Sequence, residues 1–114
     1  MTEPTPREQA LITAQRLIAG HRDKDYGPPI DNFGRAAGTL SALGYRNPAG
    51  GPVQPHDIAV IMLAIKLARL AHDPENEDTW IDVAGYAGCG VEVVKDEVRR
   101  IKDESNRAGN CTPA

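Results

Sequence analysis

KLARLAHDPENEDTWIDVAGY, residues 66–86, is the stretch that decides the fold. Lys66 and Arg69 are three residues apart, so on a helix they share a face. Asp78 and Asp82 are four apart and share a face of the helix that follows. Between them, Asp73-Pro74 interrupts the chain. The residue before a proline is pushed out of the α region, while proline is accepted in the first turn of a new helix, with Asp73 or Asn76 available to cap it. So short a turn makes the two helices antiparallel neighbours. On this reading the basic pair and the acidic pair both face one pocket.

Upstream, the helix that ends at this turn begins at Pro55, with Asp57 near the positive end of its dipole. Residues 58–70 are apolar nearly all round, with only Lys66 and Arg69 interrupting, which predicts the central buried helix of the domain. A buried cation there needs a partner, because an unpaired one costs several kcal/mol. Downstream, the last helix starts near residues 73–76 and is expected to run to about Asn106. Trp80, Ala84, Ala87, Val91, Val94, Val98 and Ile101 alternate steps of four and three, a heptad seam. The first half of that helix is expected to pack into the domain. In the second half acids and bases surround the seam, and this part is expected to project and pair with another subunit. A neighbouring stripe, Asp78, Asp82, Gly85 and Cys89, runs from acids to small residues, so the pocket side is negative at its mouth and has room beyond.

Two further helices precede these. Thr5-Pro6-Arg7-Glu8 combines a capping-box pattern with proline at the first helical position, and Leu11, Ala14, Leu17 and Ile18 form one apolar stripe before Gly20. HRDKDYGPP, residues 21–29, reads as a loop. From Pro29 or Ile30 to Leu43 the buried face is Ile30, Phe33, Ala37, Leu40 and Leu43, while Gly34 and Gly38 each weaken the helix by roughly 1 kcal/mol relative to alanine. Such glycines often permit close approach of a helix or ligand. GYRNPAGGPVQ, residues 44–54, is expected to be a flexible surface loop without chemistry. The chain thus reads as a single all-α domain of four helices over residues 1–107, with a disordered tail at 108–114.

Bulk properties narrow the function. A length of 114 residues leaves room for one modest core. Hydrophobic residues at 40% and charged residues at 25% argue against wholesale disorder, and the 4% aromatic content favours a core of closely packed Ala, Leu, Ile and Val. A formal net charge of −3 disfavours duplex nucleic acid as a partner but leaves room for a small anionic ligand held by local cations. The longest apolar run, residues 58–65, is too short to span a bilayer, and MTEPTPREQ has no secretory pattern, so no membrane association and a cytoplasmic location are expected. Cys89 reads as a buried filler and Cys111 as part of a polar tail. The two make neither a disulfide framework nor a zinc site, and His21, His56 and His72 lack metal-type spacing. Glycine-rich phosphate loops, serine nucleophile motifs and CxxC pairs are absent from the sequence.

The charged junction has two readings. In one, Asp78 stabilises the helix N-terminus and Asp82 pairs with Arg69 or Lys66 across the turn. In the other, Asp78 and Asp82, with Glu77 nearby, hold magnesium, which prefers carboxylates plus ligand phosphates. Lys66, Arg69, His21, Arg22 and Lys24 then meet phosphate oxygens. Tyr26 and Asn32 would line the base or sugar side.

HRDKDYGPPIDNF, HDIAVIMLAIKLARLAHDP and the acid pair in EDTWIDVAGYA, in this order, resemble a small family of phage and prophage proteins of unassigned function, often described as MazG-like. The shared pattern is (D/H)R-x-x-DYG-x-P-x-x-NF, K-x-x-R, then D-x-x-x-D-x-AGYA, over roughly residues 11–90. The wider group to which these are likened is the all-α nucleoside triphosphate pyrophosphohydrolases, including MazG and the dimeric dUTPases. That resemblance implies a MazG-like bundle, a homo-oligomer, and magnesium held by an ExxE pair on one helix and an ExxD pair on the next. Only Asp78 and Asp82 fall where the second pair would be, one residue further apart. The ExxE pair has no counterpart. Asp31 and Asp57 stand outside any pair, and Asp23 and Asp25 lie in the loop.

These readings lead to a nucleotide-binding protein, expected to act as a magnesium-dependent nucleoside triphosphate pyrophosphohydrolase of phage or prophage origin in the host cytoplasm. Two alternatives stay open. One is a protein that sequesters a nucleotide or cyclic nucleotide without turnover, countering host defence. The other is a helical interaction module whose charged cluster is a buried salt-bridge network.

Overall fold

The computed structural model describes residues 2–19 and 27–110, and among these the only regular secondary structure is four α-helices: α1 (Pro6–Ile18), α2 (Pro29–Ala42), α3 (Pro55–His72) and α4 (Glu77–Asn110). Local chemistry accounts for each start. The Glu8 N–H donates to Thr5 Oγ1 at 3.2 Å and the Thr5 N–H to Glu8 Oε1 at 3.4 Å, the reciprocal capping box read from the sequence. Pro29 and Pro55 open α2 and α3, where a missing N–H is harmless. Asn76 caps α4, its side-chain oxygen accepting from the Thr79 N–H at 3.1 Å. The helix α4 reaches Asn110, past the end expected near Asn106.

The core lies between α2, α3 and α4. Ile30, Phe33 and Ala37 of α2 meet Ile58 and Ala59 of α3 and Val93 of α4, and Val53 closes one end. Three contacts show that α3 and α4 run antiparallel: His56 with Glu97, Ala59 with Gly90, and Lys66 with Asp82. The helix α1 packs on the other side of α4 at Gly85 and Gly88, where an added Cβ would stand 3.4 Å from Ile18. Gly34 and Gly38, expected to allow close approach, have nothing within 4 Å of an added Cβ.

Further expectations are overturned. Helix α3 is buried on one side only: Val60 and Leu67 are 60% and 55% exposed, and Ile61 and Ile65 also face outward. A chain of this length has only α2 and α4 to lay against α3, and both lie on one side. The heptad seam of α4 likewise faces out, with Trp80 53% and Val91 60% exposed, while Ile81, Gly85 and Val93 form the buried side. On α1, Ala14 is buried but Leu11 and Leu17 are not, and Leu43 beyond α2 is exposed. The segment 44–54 is not a loose loop. The Asn47 side-chain oxygen accepts from the N–H groups of Ala49 and Gly51, each at 2.9 Å, and the Val53 N–H donates to Ser41 Oγ at 2.9 Å.

Candidate functional site

A cavity of about 430 Å³ opens where α2, α3 and α4 meet the end of α1. Its apolar walls come from Ile18, Phe33, Ala36, Ile58 and Met62, and Asn32, Tyr86 and Cys89 supply polar groups. Gly27 and Pro29 also line it. The volume falls in the range of about 300–1,000 Å³ typical of small-molecule sites, and the lining has their usual balance of apolar walls and few polar groups.

One helical turn beyond this cavity the charged junction begins. Lys66 follows Met62 by four residues on α3, and Asp82 precedes Tyr86 by four on α4. Lys66 Nζ lies 2.9 Å from Asp82 Oδ2, with the lysine side chain only 12% exposed. The expectation that a cation on α3 finds an acid across the turn therefore holds for Lys66. Arg69 is sent elsewhere. It lines an outer groove at the α3–α4 turn with His72, Asp73, Asn76 and Thr79. Three residues advance a helix by about 300°, so two cations at that spacing straddle the line of contact with α4, one inside and one outside.

Asp78 is exposed in the first turn of α4. Asp82 also borders a second hollow of about 240 Å³ on the α1 side, which shares Ile18 and Tyr86 with the main cavity. Arg16 lines that hollow too, a cation beside Asp82 that no helical spacing could reveal because it comes from another element. Magnesium at Asp78 and Asp82 would have to displace the Lys66 ammonium. Among the described residues no three His, Cys, Asp or Glu side chains come together as a metal-binding group. Asp57 accepts from the Gln54 N–H at 2.8 Å as part of the α3 start, and Asp31 pairs with Arg100 at 3.0 Å. His21, Arg22, Lys24 and Tyr26, together with Asp23 and Asp25, lie outside the described residues. Of the predicted ligand contacts, Asn32 lines the cavity, Lys66 stands one turn beyond it, and Arg69 faces the outer groove. Phe33, Met62 and Tyr86 were not singled out as ligand contacts. Their signal was faint: Tyr86 is one turn beyond Asp82 on the stripe read as pocket-facing.

The family described as "Domain of unknown function (DUF6378)" matches residues 9–94. The chain belongs to this family. Its matched span takes in all of the cavity and the charged junction. A DUF6378 chain of this kind resembles the Gene 55 protein of Mycobacterium phage L5, 40% identical over 78 residues, covering 68% of this chain and 47% of the phage protein. It also resembles the Gene 55 protein of Mycobacterium phage D29, 37% identical over 91 residues, covering 80% of this chain and 57% of that protein. The chain thus spans about half the length of the curated relatives it matches. No solved structure matches. No helix among the described residues is long and apolar enough to cross a membrane.

Proposed function

We propose that this DUF6378 chain is a nucleotide-binding protein whose cavity between α2, α3 and α4 takes the base. The observation that carries this reading is the cavity itself, about 430 Å³ with apolar walls and Asn32 and Tyr86 at hand, ending one turn from the Lys66–Asp82 pair. A base needs apolar faces and a few polar edge contacts, and phosphates need cations. Lys66, one turn beyond the cavity, and Arg16, in the adjoining hollow, stand on the side where the phosphates of a seated ligand would emerge. The resemblance to MazG-like phage proteins supports the same ligand class, a phage or prophage origin and action in the host cytoplasm.

Sequestration without turnover is the reading the geometry favours, because Asp82 is already neutralised by Lys66 at 2.9 Å and the second acid pair of the pyrophosphohydrolases has no counterpart here. The hydrolase is the second reading, motivated by the four-residue spacing of Asp78 and Asp82 on one helix. Those two residues would hold magnesium, which would supply charge neutralisation to the phosphates. A purely structural ion pair in a helical interaction module is the third.

Thermal unfolding with a panel of nucleotides and cyclic nucleotides, each with magnesium and with EDTA, separates these readings. A ligand at about 100 times its Kd adds roughly 2.7 kcal/mol to stability. A rise in Tm that survives EDTA is expected. A rise that requires magnesium, with pyrophosphate appearing in the same tube, would establish the hydrolase instead. No shift with any member of the panel would leave the interaction module.

A further inference from the structure

We infer that the groove at the α3–α4 turn is a ligand site of its own, built for a carboxylate carried on an apolar body. The inference does not rest on the nucleotide reading. It starts from Thr79. Among the described residues Thr79 is the only polar or charged one that is buried, 6% exposed, and its hydroxyl has no hydrogen-bond partner among them. A helical threonine commonly returns its hydroxyl to the carbonyl four residues back, as Thr13 does to Gln9 and Thr39 to Arg35, each at 2.9 Å. Thr79 stands in the first turn of α4, and the residue four back, Glu75, precedes the helix. No polar side-chain atom among the described residues is both sealed from solvent and unpartnered. The little surface left to Thr79 therefore includes its hydroxyl, and the groove is where that hydroxyl opens.

Further donors stand around it unused. Arg69 and His72 are exposed, and neither side chain has a hydrogen bond or ion pair among the described residues. The Asn76 side-chain oxygen accepts from the Thr79 N–H at 3.1 Å, which leaves the amide nitrogen free to donate. The antiparallel register set by Lys66 with Asp82 and Ala59 with Gly90 brings Arg69 level with Thr79 and His72 level with Asn76, and all four line the groove. Donors gathered in this way select an oxyanion. A carboxylate has about four lone-pair sites, and the forked edge of Arg69 with the Thr79 hydroxyl and the Asn76 amide matches them. A phosphate dianion fits less well. Asp73 lines the groove, Glu77 and Asp78 are exposed in the adjoining turn, and repulsion from these acids grows with the charge of the ligand. The groove measures about 600 Å³, more than a carboxylate fills, and Ile65 and Ala68 form the rest of its wall. That end takes hydrocarbon. A free aliphatic acid and the C-terminus of a peptide with an apolar last residue share this chemistry.

NMR titration of the isotope-labelled full chain is the test, with hexanoate, hexanamide, inorganic phosphate and the capped dipeptide acid N-acetyl-Ala-Leu as probes. Hexanoate is expected to give saturable shifts at the Arg69 Nε–H, the Asn76 side-chain amide and the Thr79 N–H, and hexanamide to leave them in place. Thr79→Val should weaken hexanoate about tenfold, the worth of one hydrogen bond to a charged acceptor. Thr79→Ser should keep the binding, and Arg69→Gln should abolish it. Tighter binding of the dipeptide acid than of hexanoate assigns the site to a peptide C-terminus, and the reverse order assigns it to a free aliphatic acid. Equal shifts with hexanamide, tighter binding of phosphate than of hexanoate, or shifts that grow without saturating would overturn the inference. If Thr79→Val does not fold, Arg69→Gln decides, since that side chain is exposed and has no partner among the described residues. Unchanged hexanoate binding in Arg69→Gln overturns the inference as well.

Discussion

Lys66 shows how one side chain ties the fold to the site. Its side chain is mostly buried at the α3–α4 interface while its ammonium meets Asp82 at 2.9 Å, so the lysine is both packing material and a charge held one turn from the cavity. Removing one partner leaves a mostly buried charge alone. Asp82→Ala is expected to lose about 2–3 kcal/mol in urea unfolding, below the 3–5 kcal/mol of a fully buried pair because Asp82 is partly solvated. Lys66→Met combined with Asp82→Leu should recover most of that loss, since apolar residues of similar volume replace a buried pair at little net change. A double variant no more stable than Asp82→Ala would mean that the loss does not come from leaving the Lys66 ammonium unpaired. The pair was foreseeable from spacing, since an apolar helix holding one cation requires an acid across the turn. The separate fate of Arg69 was not, because spacing orders residues around a helix axis without saying where the neighbouring helix touches.

At the level of elements, caps and glycines carry most of the specification. The short connection from Asp73 to Asn76 is held by Asn76 at the start of α4, by the Glu75 N–H donating to Asp73 Oδ1 at 3.2 Å, and by Trp80 Nε1 donating to the Pro74 carbonyl at 2.8 Å. That last bond explains how an exposed tryptophan is kept in place at the turn. The α1–α4 contact depends instead on absent side chains. An added Cβ at Gly88 would meet Ile18 Cδ1 at ordinary contact distance, 3.4 Å. Gly88→Ala is therefore expected to keep the packing and gain up to about 1 kcal/mol of helix propensity. Gly88→Leu has no room against Ile18 and should release α1, read as faster amide exchange across residues 6–18. Equal protection of α1 in both variants would show that α1 is not seated by this glycine. The start of α3 has a tertiary cap that no local pattern announces, the His56 N–H donating to Glu97 Oε1 at 3.0 Å and the imidazole Nδ1 lying 2.9 Å from Oε2.

For the whole molecule, the long α4 is the axis on which the other helices are laid, and its two ends differ in what they support. Among the described residues, Glu97 and Arg100 are the last with ion-pair partners on other helices, His56 of α3 and Asp31 of α2. Every residue from Arg99 to Ala108 is exposed. Truncation after Lys102 should change the unfolding free energy by less than about 0.5 kcal/mol, because it removes exposed helix only. Truncation after Asp96 removes the cap on α3 and should lower stability by about 1–3 kcal/mol, the range for leaving buried donors unpaired. Equal losses in the two truncations would give the distal segment a structural partner that the single chain does not show.

Read alone, the chain specified its helical class, its four helices, the start of each one, and the acid–cation match across the turn at Asp73. All of these depend on residues within one or two turns of each other, where cap hydrogen bonds, proline geometry and 3.6-residue spacing act. It also marked two apolar stripes, on α3 and on the seam of α4, that turned out to face outward. A period tells which residues share a side, and a helix with two apolar sides can offer either to its own chain. Tertiary packing resolved that choice by placing α2 and α4 on one side of α3 and leaving the other bare. The same packing assembled the cavity of Asn32, Met62 and Tyr86, whose walls come from separate elements and meet only when the bundle closes.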